Sequence, residues 1–279
     1  MEATKKFARD IQKKLIIFTH IPKTAGTSLR HILMQQYGEN AVFMFYDDPT
    51  VTTKNADELL NELRGYLGYL PATNNQNFKS LVKLRVISGH KPFGIHSLLP
   101  VNNFHYITLL REPIERVISF YYHIFGRTEH SLEYLISCKQ SIEFDNLQVR
   151  MLSGVGWKVP YGNCSCKMLE QAKYNLLHYY TFGIQDRFAE SLEIFSKYLG
   201  LSQVQLVAEN VGVNKPKSSS IEQETLHLIA QQNLLDIELY QFAKHLFKER
   251  QIQCRSVAYD GRSSLTNSAG DFPMVTESR

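Results

Sequence analysis

Apolar positions in this chain form short unbroken runs separated by loops and by stretches of helical spacing. The run Leu15-Ile16-Ile17-Phe18, within residues 14–20, is too short for a helix and too continuous for a half-exposed strand, so it predicts a buried strand. It stops at a loop holding Pro22 and Gly26. Leu29, Ile32 and Leu33 then repeat at helical spacing and predict a helix over 27–37. A second buried strand is read at 84–88 (LRVIS), ended by Gly89-His90-Lys91-Pro92, which cannot continue a central strand. A third, YITLL at 106–110, breaks at Arg111-Glu112-Pro113, and Pro113 suits the first turn of a helix running to Phe125. Further helices are expected over 131–138, 144–152 and 187–199, the last preceded by the extended run YTFGI. The longest helical pattern is 221–250, where Leu226, Ile229, Leu234, Ile237, Tyr240, Phe242, Ala243 and Leu246 form an apolar face for packing across a sheet.

Strands alternating with helices predict an α/β fold: a mostly parallel central sheet flanked by helices, with a long C-terminal helix. One domain is expected over 1–254, with a flexible tail at 255–279 where periodicity gives way to Ser, Gly, Asn and Thr. Residues 40–78 read as an insertion with a loop and a helix near 56–67. Residues 23, 90 and 111 all follow the carboxyl ends of predicted strands, where open sheets of this kind bind ligands.

Composition changes this picture little. At 279 residues, 43% hydrophobic and 21% charged, the chain matches a soluble globular enzyme rather than a disordered one. A net charge of +4 is too small to point to nucleic acid. The polar segment 1–14 and the short apolar run after it match neither a signal peptide nor a membrane span, so a cytoplasmic location is expected. Cys138, Cys164, Cys166 and Cys254 are read as free thiols. The Cys164-Ser165-Cys166 pair has no second pair or nearby histidine to complete four ligands, so no metal is expected. Oligomeric state leaves no mark in the pattern.

The segment His20-Ile21-Pro22-Lys23-Thr24-Ala25-Gly26-Thr27-Ser28 has the parts of an anion cradle. Backbone N–H groups, the hydroxyls of Thr24, Thr27 and Ser28, and a helix N-terminus can all donate; Gly26 relieves crowding and Lys23 adds a full charge. A P-loop kinase or NTPase would use a similar unit, but with its lysine directly before Ser/Thr and a Mg²⁺-holding aspartate on another strand. Here Lys23 precedes Gly26, and YITLL ends in Arg111. Arg111 and Ser119, eight residues apart with Pro113 starting a helix between them, can both face a phosphate held at that helix's amino end.

HIPKTAGTSL resembles the 5′-phosphosulfate loop of the sulfotransferases, in the version found in the glycosaminoglycan uronyl 2-O-sulfotransferases and their soluble bacterial relatives. YITLLREPIERVISFYYH resembles that family's 3′-phosphate segment, at about the family's spacing. Weaker similarity continues through SGHKPFGIH, DNLQVRMLSG, TFGIQDRFAESLEIF and LLDIELYQFAKHLF, so the resemblance spans residues 14–250. It implies a P-loop-like fold and metal-independent transfer of a sulfuryl group from 3′-phosphoadenosine 5′-phosphosulfate (PAPS) to a hydroxyl, with 3′-phosphoadenosine 5′-phosphate (PAP) as product. It points to a carbohydrate or glycolipid acceptor.

The resemblance also implies roles. Lys23 would bind the 5′-phosphate and the bridging oxygen, with Thr24, Ala25, Gly26, Thr27 and Ser28 completing the loop, and Arg111 and Ser119 would take the 3′-phosphate. Arg116 is an alternate for Arg111. Lys215 and Lys217, in the polar run 214–220, belong either to a lid over the adenosine or to a solvated linker ending in a helix cap at Ser220. His90 is the candidate general base, since imidazole accepts protons near neutrality. The uronyl enzymes carry His-Gly-His where this chain has Ser88-Gly89-His90, so His20, His96 and a glutamate remain competitors. Asn146 and Arg150, four apart, either support the acceptor site or pack. Residues 43–78 and 91–100 are the candidate acceptor loops, and Phe43, Phe45, Tyr46, Tyr121 and Tyr122 either stack on sugar or belong to the core. Two other readings stay open: a Mg²⁺-dependent kinase or NTPase, and a non-catalytic PAP-binding protein.

Overall fold

The computed structural model describes residues 14–45, 84–99, 103–126, 129–201 and 221–260. Within them, five strands form one wholly parallel sheet: β1 (Leu15–Thr19), β2 (Val42–Met44), β3 (Val86–Gly89), β4 (Phe104–Leu110) and β5 (Tyr180–Ile184), in the order β2-β3-β1-β4-β5. The chain thus has the expected α/β architecture. β1 is central, and the chain crosses from one side of it to the other between β3 and β4. In open parallel sheets, ligands bind beyond the carboxyl ends of the strands at such a change of direction. Register places Thr19 level with both Gly89 and Thr108, so the residues that leave β1, β3 and β4 emerge beside one another.

The helices are α1 (Gly26–Tyr37), α2 (Pro113–Ile124), α3 (Leu132–Ser137), α4 (Leu147–Ser153), α5 (Cys166–His178), α6 (Phe188–Leu199), α7 (Gln223–Gln232) and α8 (Leu234–Asp260). Successive strand residues point to opposite faces, so Ile16 and Phe18 pack with Leu29 and Leu33 of α1 and Phe195 of α6. Leu15 and Ile17 join the other layer, with Leu169 and Leu176 of α5 and Ala243 and Phe247 of α8. With helices on both faces, β1 has no polar side to show, which is why its sequence reads as a continuous apolar run. A separate cluster joins α2, α3 and α7 through Val117, Ile118, Leu135 and Ile229.

Three expectations change. The 221–250 pattern is two helices, broken at fully buried Asn233, whose Nδ2 donates to Phe144 O and Ile229 O (2.8 and 2.9 Å). An asparagine side chain competes with the helix ladder for backbone partners, and here tertiary partners make the break favourable. Leu234, counted on the apolar face, is 61% exposed at the start of α8. That helix continues to Asp260, past the expected boundary at 254. Helix α5 and strand β2 were not anticipated. The first is announced by Ser165, whose Oγ caps it by accepting from Met168 N (3.4 Å).

Asn146 and Arg150 are packing residues. Asn146 Oδ1 accepts from Leu235 N and Asp236 N (both 3.0 Å), while the Asp236 carboxylate accepts from Gln148 N and Val149 N (3.0 and 2.7 Å). Helices α4 and α8 thereby cap each other's N-termini. Fully buried Arg150 pairs with Asp145 and donates to Val159 O and Pro160 O. Phe43 and Phe45 lie in the core, while Tyr121 and Tyr122 pack partly exposed against the α2 cluster. Cys138, Cys164 and Cys166 are free thiols, and among the described residues no cluster of His, Cys, Asp and Glu is placed to hold a metal. No described helix is long and apolar enough to cross a membrane. The helix expected at 56–67, Tyr46, most of the 43–78 loop, Lys215 and Lys217 with the rest of the 214–220 run, and residues 261–279 lie outside the described residues.

Candidate active site

Beyond Thr19 the chain stays in register for one more residue, with His20 N donating to Gly89 O (3.0 Å), and then turns. Lys23 and Ala25 both adopt left-handed backbone conformations (φ 69° and 68°), unusual for residues with a Cβ. Conformations of this kind are stored where a loop is held by its surroundings, and they gather successive N–H groups around one concavity. Ala25 is the N-cap of α1 and offers no side-chain cap, and the first turn carries no acid. The positive end of the helix dipole therefore lies at this first turn, uncompensated by an acid on α1, the setting in which helix N-termini receive anions.

The loop differs from the sequence reading at Thr24. Its side chain is fully buried and its hydroxyl donates to Ile21 O (2.9 Å), closing the turn, so that proton is already committed. Gly26 is required by a neighbour: a Cβ there would lie 1.9 Å from Cδ2 and 2.2 Å from Nε2 of His20. Gly26→Ala is therefore expected to displace either that ring or the loop, at a cost of about 1–3 kcal/mol. A lower melting temperature and weakened PAP binding in the same preparation are the measurements that check it. Unchanged values for both would mean that the ring yields freely.

Arg111 leaves β4 next to this loop, and its Nη1 donates to Lys23 O (3.2 Å). Gln148 of α4 holds the Arg111 backbone from both sides, accepting from its N–H (3.0 Å) and donating to its carbonyl (2.9 Å). The side chain is 18% exposed and pairs with Glu115 at 3.6 Å, yet Nε has no hydrogen-bond partner among the described residues. Ser119 Oγ, on the buried part of α2, is likewise without a partner. Buried donors without acceptors are costly, and Arg116 Nε and Nη1 on the same helix are also without a partner among the described residues. The amino end of α2 is no anion site. Glu112 caps α2 by accepting from Glu115 N (2.7 Å), and the carboxylates of this cap and of Glu115 in the first turn repel rather than attract an anion. Arg116, the alternate, is fully buried beneath, donating to Glu143 O at 2.5 Å.

The three histidines occupy different settings. His20 is stacked on Phe18 (ring centroids 5.4 Å) and meets His90 edge-on (4.8 Å). Burial first, then the charges of His90, Arg30 and Lys23, push its pKa down to about 3. His96 belongs to the packing of the loop after β3. Burial raises the Tyr106 hydroxyl to about 12, so it stays protonated; it accepts from Gly94 N and His96 N (both 3.2 Å) and lies 2.8 Å from His96 Nδ1. Having accepted two bonds, that hydroxyl donates its own proton to Nδ1, and the imidazole stacks on Phe104 at 4.4 Å. His90 is half-buried directly after β3, beside His20. The structure thus gathers Lys23, the loop amides, Arg111 and His90 at the carboxyl ends of β1, β3 and β4. Gln148 and Tyr106, which brace this site, carried no sequence signal, because each acts on residues far away in the chain. The Glu112–Glu115 cap was readable as an acid just before Pro113.

A sequence model described as the sulfotransferase family matches residues 8–243 of this chain. The chain belongs to that family. Three relatives give the scale of the likeness. Heparan-sulfate 6-O-sulfotransferase 2 of Homo sapiens is 31% identical over 191 residues, covering 55% of this chain and 31% of the relative. The Gallus gallus protein of the same name is 28% identical over 191 residues, 55% of this chain and 46% of its own length. Heparan-sulfate 6-O-sulfotransferase 1 of Homo sapiens is 26% identical over 185 residues, covering 53% and 44%. Matches to this sulfotransferase-family chain therefore span less than half of each of these relatives. Their names agree with the expected glycosaminoglycan sulfotransferase group and specify 6-O enzymes, whereas the loop alone resembled the uronyl 2-O version.

Proposed function

We propose that this chain transfers a sulfuryl group from PAPS to a hydroxyl of a carbohydrate or glycolipid acceptor. One observation carries the reading: the Arg111 guanidinium is hydrogen-bonded to the Lys23 carbonyl, which joins the loop after β1 to the segment after β4 as one anion-binding surface. A donor with phosphates at both ends of a nucleoside needs two such positions held at fixed spacing. The residues present fit it: left-handed backbone at Lys23 and Ala25, an uncapped α1, and unpartnered donors on Arg111 and Ser119.

When bound, PAPS supplies the sulfuryl group and a phosphate that departs with the bridging oxygen. Lys23 and the α1 amides meet the charge growing on that phosphate, a task in which preorganised donors are most effective. Arg111 and Ser119 hold the 3′-phosphate, Arg111 through charge-assisted hydrogen bonds. His90 removes the acceptor hydroxyl's proton as the oxygen forms its bond to sulfur and the bond between sulfur and the bridging oxygen breaks, the electron pair leaving with the phosphate. Support for His90 over its competitors comes from their surroundings. His20 is too weak a base at neutral pH, and His96 Nδ1 already accepts from Tyr106. The carbohydrate acceptor rests on the relatives' names and the donor on the family. Both are tested directly.

Calorimetric titration with PAP, beside ATP with and without Mg²⁺, tests the donor. Metal-independent PAP binding with negligible ATP binding is expected; Mg²⁺-dependent ATP binding in its place would favour the kinase reading. Transfer of label from PAPS to heparan sulfate oligosaccharides rather than to simple phenols tests the acceptor class, and binding of PAP without transfer to any hydroxyl would favour the non-catalytic reading. Arg111→Ala is expected to weaken PAP about 10- to 100-fold, the scale of losing hydrogen bonds to a charged group, with a smaller effect on turnover at saturation. A PAP affinity equal to wild type would remove Arg111 from the 3′-phosphate site.

A further inference from the structure

His20 was a competitor for the role of base; its surroundings suit it to a different one. Its imidazole is confined on three sides. Phe18 stacks on it at 5.4 Å, Gly26 lies so close that a single methyl would collide with Cδ2 and Nε2, and His90 meets it edge-on at 4.8 Å. The backbone on either side is pinned as well, since Thr19 O accepts from Thr108 Oγ1 (2.8 Å) and His20 N donates to Gly89 O (3.0 Å), immediately before His90. A ring held this way is a fixed wall for whatever rests against it, and His90 rests against it.

We propose that His20 is a positioning residue: its ring, locked between Phe18 and Gly26, sets the orientation of the His90 ring. The inference rests on the sulfotransfer reading in which His90 is the base. Two features make a second histidine suited to the task. Its aromatic edge fits the narrow space above Gly26, and it does not compete for the proton. Among the described residues, the charged and titratable groups that act on it are Lys23 on the loop, Arg30 on α1 and His90 after β3; all three disfavour a charge on His20, and burial does so more strongly still. His20 therefore stays uncharged in the neutral range and does not compete with His90 for the acceptor's proton. An uncharged imidazole beside a helix N-terminus is a known way to keep a histidine out of acid–base competition.

Two variants and two readouts test this on the full chain. Histidine Cε1–H NMR signals are followed from about pH 4.5 to 9 in wild type, His20→Ala and His20→Phe, while kcat and KM are measured with PAPS and heparan sulfate oligosaccharides. In wild type, His20 is expected to keep the shifts of a neutral ring throughout while His90 titrates. In His20→Ala, water reaches the face of His90 that His20 covers, and the His90 titration moves away from its wild-type position. There kcat falls about 10-fold or more while KM for PAPS stays within about threefold, the pattern of a lost orientation rather than a lost contact. His20→Phe, an uncharged ring of similar shape, recovers most of the kcat lost in His20→Ala. Titration of His20 between pH 5 and 8 in wild type overturns the proposal. So does an unchanged His90 titration in His20→Ala, or a loss confined to KM, which would assign His20 to the loop instead. A His20→Phe variant as impaired as His20→Ala, with PAP affinity intact in both, would show that a ring nitrogen matters rather than the wall. The NMR titrations need no acceptor, so they decide the histidine pair even where wild type fails to bind PAP, an outcome that would count against the sulfotransfer reading alone.

Discussion

Lys23→Ala is expected to lower the turnover number by about 10²-fold or more, the scale of removing one preorganised donor from a developing oxyanion. Affinity for PAP should fall far less, because the α1 amides and Arg111 still hold the phosphates. The substitution is well suited to the question. Ala25 already occupies a left-handed position two residues on, so alanine at 23 adds no strain that the loop does not already bear, and the carbonyl that accepts from Arg111 is retained. Single-turnover transfer of labelled sulfate, with PAP affinity measured on the same preparation, separates the two effects. A fall in affinity with normal turnover would make Lys23 a binding residue only. No change in either would leave it a surface lysine in a turn.

His90→Ala is the second. General-base assistance contributes about 10²- to 10⁴-fold, so turnover should drop by that range while PAP binding is unchanged. His90 is half-buried and follows the last residue of β3, so its truncation removes little core. Normal turnover in the variant would remove His90 as the base and, with His20 and His96 committed to other contacts, direct attention to a carboxylate. The two experiments are complementary: in the proposed reaction Lys23 would act on the departing oxygen and His90 on the attacking one, and the charges of both act on His20.

Much of this site was legible in the chain. A short apolar run, a loop with lysine ahead of glycine, and a helix at once after it are local features, and local features survive translation into structure because backbone conformation and burial of both sheet faces decide them within about twenty residues. The same holds for the Arg111-Glu112-Pro113 break. Asn233 shows the opposite case. Nothing in residues 221–250 says that the helix stops there, because its Oδ1 accepts from Asn146 N (3.1 Å), 87 residues earlier. Thr24 looked like a phosphate ligand from its hydroxyl alone, but Ile21 O, which takes that hydroxyl, can be seen only once the turn is closed.

The chain by itself determined the parallel α/β architecture, the position of the loop after β1 and the identity of the residues at each strand end, since these follow from periodicity, turn chemistry and residue type. Tertiary structure alone separated the settings of the three histidines. His20, His90 and His96 are chemically identical in sequence, and what separates them is long-range: the desolvation of His20 over Gly26, the Tyr106 hydroxyl at His96, and the parallel register of β1 and β3 that brings residues 20 and 90 side by side. Charge and proton affinity depend on what surrounds a group in space, and neighbours contributed by other strands are invisible to any reading along one chain.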